Sequence, residues 1–117
     1  RIDDYANIGG VTPVHQFVRV GKHAMIGGGF RAVQDVAPFM IAGGEPLHIA
    51  GINQVGLERA GFAKETIDQL KKAHKTIFRS GLTVKEAVEA LARDFPPLEE
   101  IKTLIEFIST SQRGLVR

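Results

Sequence analysis

Five aliphatic residues, Ile2, Ile8, Val14, Val20 and Ile26, recur at intervals of six without a slip. The residues that follow them are Asp3, Gly9, His15, Gly21 and Gly27, and those four places on are Ala6, Thr12, Val18, Ala24 and Phe30. A helix of 3.6 residues per turn does not hold one face at a strict period of six, whereas six is a multiple of the two-residue side-chain period of a strand. Each hexad therefore predicts a short flat face with its aliphatic inward and a small residue beside it, and the glycines permit the corners between faces. Only a stack buries such faces, so the expected architecture is a parallel β-helix of hexapeptide repeats. The pattern is already running at Ile2, which leads us to expect that the chain starts within the solenoid. The period itself does not set the handedness.

After the fifth hexad, residues 32–51 are interrupted by Pro38, Gly43, Gly44 and Pro46. Strands are expected around Val33 to Val36 and Phe39 to Ala42, followed by a connecting loop near residues 43–51. The period then becomes helical. A short helix is expected from Ile52 to Ala60 with Gly61 as its stop, and a second from Lys64 to Ser80, ended by Gly81, with Ile67, Leu70, Ala73, Ile77 and Phe78 on one face. Thr83 and Glu86 form a capping box for a third helix striped by Val84, Ala87, Val88 and Leu91. Pro96 and Pro97 end it and open a fourth that carries Leu98, Ile101, Leu104, Ile105 and Ile108, before a polar, basic tail over residues 109–117. Residues 1–50 are thus expected to form β-helix coils and the connecting loop, and residues 51–117 an α-helical domain.

The absence of cysteine excludes disulfides and thiolate chemistry. No signal peptide is expected, and because Arg31, Asp35 and Glu45 break the most apolar stretch no membrane span is expected either. A net charge of +2 is too small to mark a nucleic-acid-binding chain. The one basic cluster, Lys71, Lys72, Lys75 and Arg79, lies along one side of the second predicted helix without interleaved aromatics and reads as a solvated face. Gly27, Gly29 and Ala32 fit G-x-G-x-x-A, but no acidic residue follows near the twentieth position and the hexads already account for the glycines. The histidine spacings match no metal motif, and no serine stands out as a nucleophile.

Several motifs together resemble one family. They are Gly9-Gly10-x-Thr12-x-Val14-His15-Gln16-Phe17, Ile26-Gly27-Gly28, Gln34-Asp35-Val36-x-Pro38-Phe39, Asn53-x-x-Gly56-Leu57-x-Arg59-x-Gly61-Phe62 and Arg113-Gly114-Leu115. In this order they resemble the C-terminal part of the acyl-carrier-protein:UDP-N-acetylglucosamine O-acyltransferases, which open lipid A biosynthesis. The resemblance implies the end of a left-handed parallel β-helix followed by a small α-helical domain, and a homotrimer with active sites between neighbouring subunits. It also implies a bacterial cytoplasmic enzyme that needs no cofactor or metal and takes its acyl group from the thioester of acyl carrier protein.

In that family a histidine acts as general base on the 3-hydroxyl of UDP-N-acetylglucosamine, which receives a 3-hydroxyacyl group. The residues matching that base and the oxyanion glycine would precede Arg1, so no catalytic residue is expected in this chain and the chain alone is expected to be inactive. The resemblance assigns His15, Gln16, Asn53 and Arg59 to substrate binding and Gly28 to the end of the acyl groove. Val55 and Ala60 depart from the family pattern, which often has an acidic residue and a second arginine there. Rival readings are a non-catalytic trimerising module and a hexapeptide acyltransferase with another acceptor.

Overall fold

The computed structural model describes residues 2–8, 19–27, 34–44, 47–111 and 114–117. Two rows of backbone pairing run along the coil segment. On the first, Ile2 bridges Val20 and Val20 bridges Val36, both in parallel. On the second, β1 (Asn7–Ile8), β2 (Met25–Ile26) and β3 (Met40–Gly43) pair in parallel, with Ile8 opposite Ile26 and Ile26 opposite Ala42. Partners in the first step are 18 residues apart, which is three hexads, and partners in the second are 16 apart. Val20, Ala24, Ile26, Val36 and Ala42 point inward and are buried. Ile2, at the outer end of the first row of pairing, is 54% exposed.

Two expectations are corrected. Within the stretch read as a connecting loop, residues His48–Ile52 form β4, which runs back antiparallel along β3 with a register shift between Ile41 and Ala42. Ile49 is fully buried while His48 and Ala50 are exposed, so an alternation of only five residues, hidden among glycines, makes a strand once β3 supplies its partner. The tail is not simply polar: Leu115 and Val116 are buried, Leu115 bridges Asp35, and the Val116 N–H donates to the Asp35 carbonyl at 2.8 Å. Asp35 accepts again through its carboxylate from the Arg19 N–H at 2.8 Å and the Ser111 hydroxyl at 2.6 Å. Arg19 in turn lies over the Phe107 ring, 4.2 Å from its centroid, and ties the coil edge to the helices.

The helices are α1 (Gln54–Arg59), α2 (Lys64–Phe78), α3 (Val84–Asp94) and α4 (Glu99–Ser109). Their buried faces are Leu57; Ile67, Leu70, Ala73 and Ile77; Ala87, Ala90 and Leu91; and Ile101, Leu104, Phe107 and Ile108. The capping box of α3 is formed in both directions, with the Glu86 N–H donating to Thr83 Oγ1 and the Thr83 N–H to Glu86 Oε1. Gly61 and Gly81 follow α1 and α2 with φ of 84° and 66°, where a side chain would be strained. The three longer helices pack on one another and α2 packs on β4, so the inward residues of the coils and the helical stripes join in one core. Among the described residues no helix is long and apolar enough to cross a membrane.

Candidate functional site

The junction between coils and helices is built on a corner. Tyr5, His23 and Phe39 each lie two residues before the register partners Asn7, Met25 and Ile41, and each has a positive φ, of 61°, 57° and 68°. Such a conformation costs a non-glycine residue about 1 to 2 kcal/mol. Ring stacking offsets part of that: Tyr5 lies on His23 with centroids 4.8 Å apart, and His23 on Phe39 at 6.1 Å. Phe62, just past α1, meets His23 edge to face at 4.9 Å and Phe39 at 6.0 Å. Burial, and then the Lys22 ammonium, hold the His23 imidazole below its ordinary pKa of 6.5.

Beside this corner the outward residues of the strands and the start of α1 enclose a cleft of about 470 Å³. Met25 from β2, Ile41 from β3, Ile52 from β4 and Val55 from α1 form its apolar side, while Asn53, Gln54 and Arg59 supply polar groups. Met25 and Ile41 face outward because their neighbours Ile26 and Ala42 face inward, a consequence of strand alternation. Asn53 is the N-cap of α1 and only 9% exposed. Its Oδ1 accepts from the Gly56 N–H at 3.3 Å, its Nδ2 donates to the His23 carbonyl at 3.0 Å, and its own N–H donates to the Phe39 carbonyl at 2.7 Å. Gln54 Nε2 donates to Glu58 Oε1 at 2.9 Å. Arg59 is exposed, and among the described residues its guanidinium has no hydrogen-bond or ion-pair partner. A free guanidinium beside an apolar wall is suited to an amphiphilic anion, with bidentate donation to phosphate or carboxylate oxygens.

Of the residues singled out in the sequence, Asn53 and Arg59 therefore share one cleft, while His15, Gln16 and Gly28 lie outside the described residues. Val55, at one departure from the family pattern, is 62% exposed on the cleft's rim, and Ala60, at the other, is the C-cap of α1. Sequence reasoning missed Met25, Ile41 and Ile52. The hexad register marks Met25 as outward, but an outward apolar residue carries no sign of what it lines. Two further clefts are among those that the described residues form. One, of about 350 Å³, has Asp3, Asp4 and Glu106 beside Arg19 and Lys22; the other, of about 440 Å³, lies between α1 and α2. Among the described residues no group of three His, Asp or Glu side chains could hold a metal ion.

Residues 35–116 match the family model described as UDP-N-acetylglucosamine O-acyltransferase, domain 2. Among curated proteins, the acyl-carrier-protein–UDP-N-acetylglucosamine O-acyltransferase of Myxococcus xanthus is 45% identical over 116 residues, covering 99% of this chain and 45% of that protein. Its counterpart from Burkholderia lata is 43% identical over 120 residues, covering 99% and 46%. The chain thus spans about half the length of the curated relatives it matches. Among solved structures, the UDP-N-acetylglucosamine acyltransferase of Bacteroides fragilis superposes with a TM-score of 0.97 at 41% identity, over 99% of this chain and 46% of that one. The Arabidopsis UDP-N-acetylglucosamine acyltransferase gives 0.90 at 30% identity, over 99% and 44%.

Proposed function

The chain belongs to the UDP-N-acetylglucosamine O-acyltransferase family, and from that premise we propose that the cleft beside α1 is part of the sugar-nucleotide wall of an enzyme that acylates UDP-N-acetylglucosamine from acyl carrier protein. The observation that carries this reading is the meeting of Arg59 and Asn53 in one cleft with an apolar side. Arg59 pairs with the diphosphate, Met25, Ile41 and Ile52 exclude water from it, and His15 and Gln16 contribute to the sugar side. With water excluded, the charge-assisted hydrogen bonds from Arg59 gain strength.

The 18-residue offset between paired coils supports the finer reading that residues 1–50 are the last coils of a left-handed β-helix and residues 51–117 a helical domain set against them. In this reading the enzyme is a cytoplasmic bacterial homotrimer with its clefts between subunits; sedimentation equilibrium giving a monomer at high concentration contradicts the trimer. The wall binds and orients, while the general base and the oxyanion donor are not among these residues. The 117-residue chain alone therefore leaves acyl transfer at background when mixed with both substrates, and turnover by it would contradict that assignment.

Two substitutions test the binding roles. Arg59→Ala weakens UDP-N-acetylglucosamine binding by about 1.5 to 3 kcal/mol, the range for hydrogen bonds to a charged group. Calorimetric titration checks it, and an unchanged affinity rejects the diphosphate role. Gly28→Met fills the end of the acyl groove and shifts preference toward shorter acyl chains in the trimeric enzyme; an unaltered chain-length profile removes Gly28 from that role.

A further inference from the structure

One coil residue holds both ends of α1. At the start, Asn53 Nδ2 donates to the His23 carbonyl at 3.0 Å while Oδ1 caps the helix at the Gly56 N–H. At the end, the Phe62 N–H donates to the Leu57 carbonyl at 3.1 Å and its ring closes on the His23 ring. A Cβ on residue 56 would come within 2.4 Å of Asn53 Nδ2, so glycine there lets the helix sit close against the Asn53 amide. A helix of six residues has little stability of its own, so the direction in which it presents a side chain depends on its ties.

We propose that Asn53 is a positioning residue, which fixes α1 to the His23 corner and thereby aims Arg59 at the diphosphate of a sugar nucleotide. This rests on the reading of the cleft given above and assigns Asn53 a different part in it. Its amide acts through the helix, with one oxygen and one N–H already engaged by the protein.

Asn53→Ser isolates the tie. Serine still offers an oxygen to the Gly56 N–H, as good N-caps do, but is too short to donate to the His23 carbonyl. In the ligand-free protein this variant raises hydrogen exchange at the Leu57 and Ala60 amides, and it weakens UDP-N-acetylglucosamine binding by about threefold to tenfold, the worth of one hydrogen bond. In an Arg59→Ala background the same change costs less than about twofold, because residues that act as a unit are not additive. Fully additive losses, which a direct contact between Asn53 and the ligand produces, overturn the proposal, as does unchanged exchange in Asn53→Ser. If Arg59→Ala binds like the parent, the reading of the cleft fails and takes this proposal with it.

Discussion

The coils and the helices are stabilised on different length scales. Helix α3 has its start fixed by Thr83 and Glu86, three residues apart, and its inner stripe by Ala87, Ala90 and Leu91. Strand β2 is only two residues long and is held by Ile8 and Ala42, 18 and 16 positions away. A disturbance of β2 is therefore passed to the strands paired with it, whereas one at a helix end stays within a turn or two. The corner at His23 is where the two regimes meet: a stack of rings runs along the coils and Phe62 closes it from the helical side.

The largest effect expected to separate the regions comes from Gly21. A Cβ there would lie 2.4 Å from the Pro38 nitrogen and 2.7 Å from its Cα, backbone atoms of the next rung that cannot yield alone. Gly21→Val costs about 1 to 3 kcal/mol in denaturant unfolding, as overpacked cores do. Gly43→Ala, with nothing within 4 Å, stays within about 0.5 kcal/mol of the parent. Hydrogen exchange adds the sharper test: Gly21→Val speeds exchange at the Gly27 and Val36 amides while leaving those inside α3 protected. Equal loss in α3 would show that coils and helices open as one unit.

A smaller and local effect is expected at the helix start. Thr83→Ala removes the side-chain half of the capping box and costs about 1 kcal/mol, with faster exchange confined to the first turn of α3. Spread of that effect to β2 would break the contrast between regions.

The smallest effect is a pH slope contributed from both sides. His74 on α2, like His23 in the coils, sits below the ordinary value of 6.5, through burial and then the charges of Arg79 and Lys75. Well above 6.5 both imidazoles are neutral whether the chain is folded or not, and the stability they contribute is complete. As pH falls below that value the unfolded chain takes up protons first, so stability declines until the folded-state pKa is passed. Melting curves from about pH 8 to about pH 5 should flatten in His74→Gln and in His23→Asn. Slopes identical to the parent's in both variants would contradict the assignment.

Much of this difference in scale decides what could be read from the residues. The helices announced themselves through stripes and stops contained in their own sequence, and their ends fall within about two residues of expectation. The hexad period likewise marked Val20 and Ile26 as inward, and both are fully buried. What escaped is non-local. Strand β4 needs β3 beside it, Leu115 and Val116 need Asp35, and no pattern in the sequence announces that aromatic residues at 5, 23 and 39 stack with positive φ. At the cleft, Asn53 and Arg59 stand out together in the sequence because one motif holds them, seven residues from the N-cap of α1 to its last residue, whereas Met25 and Ile41 join them only through the pairing of β2 with β3.

If the proposed function holds, a sugar nucleotide meets this chain at the junction of the β2–β4 sheet and α1. Titration of UDP-N-acetylglucosamine into isotope-labelled protein, followed by amide chemical shifts, tests it most directly. The account predicts that the amides of Met25, Ile41, Ile52 and Arg59 shift together along one saturating curve. Shifts confined to the cleft beside Arg19 and Phe107, or to the outer faces of α2 to α4, would contradict it.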